Sequence, residues 1–168
     1  MLYHKGVILR TRYRVNTPHK AGSYLYFWQD GPYRMKKVIF IDDSPLDHFI
    51  LKRILNKYNL AYEVNCTDNG EEVLSFLDNN RLNKSILPDI ILLDLYMPQF
   101  DGWAFLEKVQ RIYPHLSKPV RIYILSSSIN PRDIQYAKQF SCVQSFIFKP
   151  ITKEVLERLV DEEVSKAV

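Results

Sequence analysis

The chain has 168 residues, of which 46% are hydrophobic and 25% charged, a balance typical of a single globular domain with a sizeable core. No apolar run approaches the roughly 18 residues that a membrane-spanning helix needs. The net charge of +4 is concentrated at the N-terminus: residues 1–34 hold six Lys/Arg and one acid, whereas residues 35–168 hold 17 Lys/Arg and 18 Asp/Glu, which argues against a basic nucleic-acid-binding surface on the body of the chain.

Residues 1–34 differ in character from everything that follows. Basic residues are scattered through this segment, its apolar residues keep no sustained period, and its LYFW cluster is too short for the core of a signal peptide. Because Met35 directly precedes the first clear strand, we expect the natural chain to start there, with residues 1–34 a disordered or non-native basic leader. The alternative is that this leader is a genuine basic arm that contacts a partner.

From Met35 onward, strand-like and helix-like segments alternate. Five short apolar or alternating runs predict β-strands at residues 38–41, 61–66, 90–93, 120–125 and 143–148. A helix-start signal follows each strand, namely Ser44-Pro45, Gly70, Asp101-Gly102, Asn130-Pro131 and Thr152.

Apolar residues at helical spacing predict which face of each helix is buried. In the first helix the predicted buried residues are Leu46, Phe49, Ile50 and Ile54. In the fourth helix they are Ile134, Ala137 and Phe140.

Five strand–helix units in strict alternation predict an α/β fold, with a parallel sheet covered by helices on both faces. The IILL run of residues 90–93 contains no polar position, as expected of a central strand buried on both sides. Ligands of such sheets lie beyond the carboxyl ends of the strands. The residues that directly follow the strands are therefore the first candidates for a functional site.

Reactive side chains stand at the carboxyl ends of four of the five predicted strands. Asp42 and Asp43 follow the first strand, Asp94 the third, Ser126 the fourth and Lys149 the fifth. Because the carboxyl ends of parallel strands meet at one edge of the sheet, we expect these groups to converge. Convergence also explains why a buried strand ends in an acid, since a buried carboxylate without a partner is costly.

This set of side chains indicates phosphoryl chemistry. Three carboxylates repel one another unless a divalent cation joins them, and oxygen ligands favour Mg²⁺. A carboxylate beside a metal can act as a nucleophile on phosphorus and form an aspartyl-phosphate. Lys149 offers a positive charge to the phosphoryl oxygens, and Ser126 offers a hydroxyl donor.

The motifs together resemble the receiver domain of two-component response regulators. They are IDDS at 41–44, LLDLYMPQFDG at 92–102, ILSSS at 124–128 and FIFKP at 146–150, within a resemblance that runs from Lys36 to about Val164. The resemblance implies a flavodoxin-like, doubly wound, five-stranded parallel sheet with strand order 2-1-3-4-5. It also implies a cis peptide bond between Lys149 and Pro150.

The same resemblance implies a role for each acidic candidate. Asp94 matches the phosphoacceptor, and Lys149 matches the phosphate-binding lysine. Asp43 and Asp94 match direct Mg²⁺ ligands together with the backbone carbonyl of Tyr96. Asp42 matches an acid that reaches the metal through water.

Two further positions match the switch residues of the family. Ser126 matches the switch hydroxyl, where threonine is commoner, and Phe146 matches the switch aromatic, where tyrosine is common. Ser127 stands where alanine is common. Tyr96 is bulky at a position that tunes access of hydrolytic water in the family.

The function implied is that of a single-domain response regulator in the cytoplasm, which catalyses only its own phosphorylation and dephosphorylation. We expect a sensor histidine kinase or a histidine phosphotransfer protein to supply the phosphoryl group. Signalling then occurs by a conformational switch toward a downstream protein or by onward phosphotransfer. Because no predicted element follows the fifth helix, we expect no DNA-binding domain and no membrane contact.

Two alternatives remain at this stage. A phosphatase of the haloacid-dehalogenase type also uses an aspartate nucleophile, Mg²⁺, a Ser/Thr and a Lys, but its D-x-D signature is replaced here by adjacent acids at 42–43. The second alternative is a degenerate receiver that binds partners without phosphorylation. The presence of every expected residue speaks against that reading.

Both cysteines are predicted to remain free thiols. In the implied strand order, Cys66 ends one edge strand and Cys142 precedes the opposite edge strand. Four strand spacings place them on the order of 19 Å apart, far beyond the roughly 7 Å limit between Cα atoms of a disulfide.

Overall fold

The computed structural model describes residues 36–58, 60 and 62–161. The predicted leader, residues 1–34, lies outside the described residues. Met35, the expected natural start of the chain, lies outside them too. In the described part, five parallel β-strands alternate with five α-helices, as the sequence pattern predicts.

The helices and strands start close to the predicted positions. In chain order the elements are β1 (Lys36–Ile41), α1 (Pro45–Tyr58), β2 (Tyr62–Thr67), α2 (Gly70–Asn79), β3 (Ile90–Leu93), α3 (Gly102–Ile112), a 3-10 helix (Tyr113–His115), β4 (Arg121–Ser126), α4 (Pro131–Ala137), β5 (Val143–Phe148) and α5 (Lys153–Asp161). The longest helix, α1, has 14 residues. No helix in the described part of the chain is both long and apolar enough to cross a membrane.

The sheet has the strand order β2-β1-β3-β4-β5, which confirms the predicted flavodoxin-like topology. Its register aligns the last residues of the central strands, because Ile41 of β1 pairs with both Thr67 of β2 and Leu93 of β3. Leu93 in turn pairs with Ile124 of β4. The segments that follow these strands therefore leave the sheet side by side.

Side chains of the central strands alternate between two apolar layers, as the period of two along a strand requires. Ile91 and Leu93 of β3 belong to the layer that contains α2 and α3, whereas Ile90 and Leu92 belong to the layer that contains α1 and α5. All four residues of β3 are fully buried. The prediction that β3 is a central strand covered on both faces is confirmed.

The predicted buried face of α1 is wrong in part. Leu46 and Phe49 are 65% and 59% exposed, and the buried residues of α1 are Leu51 and Leu55. The aliphatic and phenylalanine residues of α1 are spread over more than one face of the helix. Spacing alone therefore permits two alternative buried stripes. The stripe that includes Leu51 and Leu55 faces the sheet, and Leu46 lies half a helical turn away from it.

The start signals of α3 and α4 work as helix caps. Asp101 accepts a hydrogen bond from the backbone N–H of Trp103, and Asn130 accepts one from Arg132. The predicted inner face of α4 is confirmed at Ala137, which is buried. Phe140 is buried as well, although it lies beyond the end of the helix.

The cysteine and proline predictions are both confirmed. Cys66 and Cys142 are free thiols. The peptide bond between Lys149 and Pro150 is cis.

Candidate functional site at the carboxyl edge of the sheet

Three of the candidate residues extend the backbone ladder of the sheet by one position. The three hydrogen bonds, each 2.9 Å long, run from Asp42 N to Thr67 O, from Asp94 N to Ile41 O and from Lys149 N to Ser126 O. Because the neighbouring strand holds each backbone, these side chains start from fixed positions. Such rigidity favours a site whose geometry is set before any ligand arrives.

Asp42, Asp43 and Asp94 converge as the sequence predicts. Each offers a carboxylate oxygen within 4.8 Å of the oxygens offered by the other two. Asp42 has no exposed surface and Asp94 is 7% exposed, whereas Asp43 is exposed. The cluster is therefore closed toward the sheet and open on the side of Asp43.

The ammonium group of Lys149 lies among three carboxylates. Its Nζ donates hydrogen bonds to Asp94 Oδ2 at 2.8 Å and to Asp47 Oδ2 at 2.9 Å. It also lies 2.8 Å from Asp42 Oδ2, an ion pair whose angles fall outside hydrogen-bond geometry. The structure thus brings Lys149 to the acidic cluster, as predicted, and adds Asp47 to its partners.

Asp47 is a residue of this site that sequence reasoning missed. It lies in the first turn of α1, where its backbone N–H donates to Oγ of Ser44 at 3.2 Å, as an N-cap requires. An acid in the first turn of a helix has a local explanation, because it interacts favourably with the helix N-terminus. Because α1 begins at the carboxyl edge of the sheet, an acid in its first turn lies on the same side of the sheet as Lys149. That placement could have identified Asp47 as a candidate site residue.

Burial sets the electrostatics of the cluster. Burial raises the pKa of Asp42, even though the Lys149 ammonium and the backbone N–H of Ser44 favour its ionised form. Burial alone would lower the pKa of Lys149, but the carboxylates of Asp42, Asp94 and Asp47 outweigh it and raise that pKa above its usual range. The ammonium therefore stays charged, whereas burial disfavours the ionised form of Asp42.

The donor set fits a hard divalent cation. Oδ2 of Asp42 is buried and accepts no hydrogen bond from the described residues. Together with Asp43 and Asp94 it provides oxygen ligands alone, the kind that Mg²⁺ prefers. The exposed position of Asp43 leaves the site accessible to a cation from solvent.

Gly102 allows the loop after Asp94 to pack closely against α3. A Cβ atom at this position would lie 2.3 Å from the backbone oxygen of Asp94 and 2.7 Å from Cα of Leu95. The backbone N–H of Gly102 donates to Leu95 O at 3.0 Å. The Asp-Gly pair that starts α3 thus also fixes the segment that carries Asp94.

The side chains of the two predicted switch residues make no hydrogen bond to the three acids in the described part of the chain. Ser126, the last residue of β4, is fully buried, and its Oγ accepts a hydrogen bond from the N–H of Ser128. Phe146 is half-buried against the apolar layer of α2 and α3, and its ring lies 5.4 Å from that of Phe148.

Tyr96 links the loop after β3 to α4. Its side chain is 56% exposed, and its hydroxyl donates to Oδ2 of Asp133 at 2.7 Å. The hydroxyl of Ser128 donates to the same oxygen. The hydrogen bond to Asp133 is the main cause that raises the pKa of Tyr96. Asp133 and Ser128 are further contacts that the sequence pattern did not indicate.

Comparison with known proteins decides the family. The profile of the response regulator receiver domain matches residues 38–161. The chain belongs to this family. Receiver relatives include the two-component response regulator ORR1 of Oryza sativa subsp. japonica, which is 26% identical over 132 residues, covering 77% of this chain and 56% of the relative. The chain therefore spans little more than half the length of that relative.

A second relative and two solved structures agree with the receiver assignment. The probable methanogenesis regulatory protein FilR2 of Methanothrix harundinacea is 23% identical over 74% of this chain and 79% of its own length. A two-component response regulator from Cytophaga hutchinsonii matches with a TM-score of 0.69 and 24% identity, over 79% of this chain and 99% of the other, which shows the fold. The phosphorylated cyanobacterial phytochrome response regulator RcpA matches with a TM-score of 0.64 and 26% identity, over 80% and 98% of the two chains.

Membership in the receiver family removes the support for a phosphatase of the haloacid-dehalogenase type. The motif departure at 42–43 already spoke against that alternative, and the family match covers the whole acidic cluster. The degenerate-receiver alternative belongs to the same family and is separated from a working receiver only by the chemistry of the site.

Proposed function

We propose that this receiver accepts a phosphoryl group on Asp94, in a Mg²⁺-dependent reaction, from a sensor histidine kinase or a histidine phosphotransfer protein. The observation that carries the proposal is the convergence of Asp42, Asp43 and Asp94 within 4.8 Å, beside the Lys149 ammonium. Membership in the receiver family supports the partner class.

Asp94 is the nucleophile because it ends the central strand and points at the ammonium. Lys149 holds its Oδ2, whereas Oδ1 has a long 3.4 Å contact with the backbone N–H of Tyr96. In the transfer, a carboxylate oxygen of Asp94 forms a bond to phosphorus. The bond from phosphorus to the donor nitrogen or oxygen breaks, and its electron pair leaves with the donor.

The metal ligands in this proposal are the carboxylates of Asp43 and Asp94 and the backbone carbonyl of Tyr96, with Asp42 acting through water. When bound, Mg²⁺ supplies positive charge that offsets the negative charge of the cluster and of the transferring group. The buried Oδ2 of Asp42, which accepts no hydrogen bond from the described residues, supports this assignment because a metal-bound water can donate to it.

Lys149 and the two switch residues couple phosphorylation to the surface. Lys149 is placed to bind a phosphoryl oxygen because its ammonium already contacts Asp94. We expect the hydroxyl of Ser126 to move toward the phosphoryl group and Phe146 to turn inward. That change biases a two-state equilibrium at the face formed by α4, β5 and α5. A downstream protein or a phosphotransfer protein then binds the favoured state of this face.

The experiment is incubation of the purified protein with Mg²⁺ and a small acyl phosphate, followed by intact-mass measurement. We expect one added phosphoryl group on the wild type and none on Asp94→Asn, which keeps the shape of the side chain and removes the nucleophile. Asp101→Asn is the matched control, because Asp101 is an exposed acid of the same loop that caps α3. Equal labelling of Asp94→Asn and wild type would overturn the proposal.

A further inference from the structure

We propose that Asp47 is a positioning residue that competes with the phosphoryl group for the ammonium of Lys149, and thereby sets how readily this receiver is phosphorylated. The inference rests on the proposed function of Asp94 and deepens it. It assigns to α1 a carboxylate that restrains Lys149 in the unphosphorylated protein.

The contact between Asp47 and Lys149 is as close as the contacts inside the cluster. Nζ of Lys149 lies 2.9 Å from Asp47 Oδ2, compared with 2.8 Å from Asp94 and 2.8 Å from Asp42. The two residues are 102 positions apart in the chain, so the contact joins the first turn of α1 to the end of β5. Two hydrogens of the ammonium group are donated to Asp47 and Asp94, and Asp42 lies within ion-pair distance of the same group.

A phosphoryl group on Asp94 requires one of these contacts to yield. Asp42 is fully buried, so bulk solvent does not replace the ammonium beside its carboxylate if Lys149 leaves. The side chain of Asp47 is 25% exposed and can be hydrated at once when it releases the ammonium. Asp47 is therefore the carboxylate that an arriving phosphoryl oxygen displaces, and the strength of its bond to Lys149 opposes phosphorylation.

The carboxylate of Asp47 takes no part in the hydrogen bond that caps α1. The capping hydrogen bond runs from the backbone N–H of Asp47 to Oγ of Ser44, and the side chain takes no part in it. Asp47→Asn keeps both this bond and the size of the side chain while it removes the charge. The substitution thus isolates the contact with Lys149.

The test compares rates of phosphorylation by acetyl phosphate in the presence of Mg²⁺ for wild type, Asp47→Asn, Asp47→Ala and Asp68→Asn. Asp68 is an exposed acid just beyond β2 at the same edge of the sheet, and it does not contact Lys149. We expect both Asp47 variants to be phosphorylated faster than wild type, by on the order of threefold to tenfold. The reason is that each variant loses one charge-assisted hydrogen bond that opposes the reaction.

Ionic strength separates a contact from a general effect of charge. Removing any acid near the site attracts an anionic donor, but that long-range effect is screened within roughly 10 Å at 0.1 M salt. We expect the advantage of Asp47→Asn to persist in 0.5 M salt, at which the smaller advantage of Asp68→Asn disappears.

An NMR measurement that needs neither phosphorylation nor metal observes the Lys149 ammonium directly. The ¹⁵N resonance of Lys149 Nζ, assigned with Lys149→Arg, should shift in Asp47→Asn and stay in place in Asp68→Asn. This inference would be overturned if the wild type is labelled but Asp47→Asn is phosphorylated no faster than Asp68→Asn. That result would leave the proposed function intact. An unchanged Lys149 resonance in Asp47→Asn would overturn it too, and a wild type that no donor labels would overturn the proposed function and this inference with it.

Discussion

Two lysine–aspartate clusters lie at opposite ends of the strands of the sheet. They differ in how exposed their acids are. At the amino edge, Lys118 and Asp89 form an ion pair of 2.6 Å with side chains only 5% and 9% exposed. At the carboxyl edge, Lys149 lies among Asp42, Asp47 and Asp94. At the carboxyl edge one ammonium lies within 2.9 Å of three acids, and we call this cluster unbalanced.

The amino-edge pair of Lys118 and Asp89 has the character of a structural element. Oδ2 of Asp89 also accepts the backbone N–H of Lys37 at 2.9 Å, and the backbone of Asp89 bonds to that of Lys37 in return. The pair thus ties the start of β1 to the segments before β3 and β4. The unbalanced cluster instead has an exposed acid, Asp43, and a surplus of negative charge. Protonation or a further cation relieves a surplus of this kind, and in our proposal Mg²⁺ supplies the positive charge.

The largest effect should follow from breaking the buried amino-edge pair. Lys118→Met keeps the length of the side chain and removes the charge that faces the buried Asp89. We expect the free energy of unfolding to fall by about 3–5 kcal/mol, as is common when one partner of a buried ion pair is lost. Denaturant unfolding measures the change.

Lys108→Met is the control for this substitution. Lys108 also pairs with an acid, Glu71, but both side chains are about half exposed. Exposed pairs contribute little, so a loss below about 1 kcal/mol is expected. Similar losses for the two variants would show that burial does not distinguish the amino-edge pair.

The next effect concerns the unbalanced cluster, which Mg²⁺ should stabilise. At a free Mg²⁺ concentration of 100 times its dissociation constant, the wild type should gain about 2.7 kcal/mol of unfolding free energy. Asp43→Asn should gain much less because it lacks one carboxylate ligand, whereas Asp68→Asn should respond as the wild type does. Thermal unfolding with and without Mg²⁺ provides the comparison, and an equal response of Asp43→Asn would contradict the ligand assignment.

Without metal, removal of an acid at the carboxyl edge should stabilise the fold. Burial raises the pKa of Asp42, so its carboxylate destabilises the folded state at neutral pH. We expect Asp42→Asn to be more stable than wild type near pH 7 in a chelator. A less stable Asp42→Asn under these conditions would refute the imbalance of charge.

The pH dependence of this effect has a definite sign. A carboxyl whose folded pKa lies above its unfolded value contributes stability when it is protonated, and this contribution is lost as the pH rises through the folded pKa. The two proteins should therefore have equal stability below the usual pKa of 3.8 and diverge as the pH rises. Unfolding curves at a series of pH values measure the divergence.

The smallest effect is expected for a hydrogen bond at the exposed rim. Tyr96→Phe removes the bond to Asp133 from a side chain that is 56% exposed. We expect a loss below about 1 kcal/mol, since water replaces the lost partner. Tyr136→Phe, which removes a longer bond to Glu107, should be similar. A loss as large as that of Lys118→Met would mean that the link between Tyr96 and α4 supports the fold.

Much of the fold and the acidic cluster was predictable because short-range patterns specify them. The IILL run of β3 and the acid that follows it required only the rule that parallel strands share an edge. The buried face of α1 was not predictable from spacing, because apolar residues surround that helix and only packing against the sheet selects Leu51 and Leu55.

Contacts between distant segments were the part that sequence reasoning missed. Asp47 and Lys149 are 102 positions apart, and Tyr96 and Asp133 are 37 apart. Each of these acids already had a local explanation as a first-turn helix residue. A local pattern identifies the element that carries a charge but not the partner that the tertiary structure brings to it.

The most direct test of the account is to locate the phosphoryl group itself. After incubation with acetyl phosphate, peptide mapping by tandem mass spectrometry should place one hydroxylamine-sensitive phosphoryl group on Asp94 when Mg²⁺ is present and none when a chelator replaces it. Phosphate that resists hydroxylamine, lies on another residue, or forms equally well without a divalent cation would contradict the central claim that the acidic cluster at the carboxyl edge is a metal-dependent phosphoacceptor site.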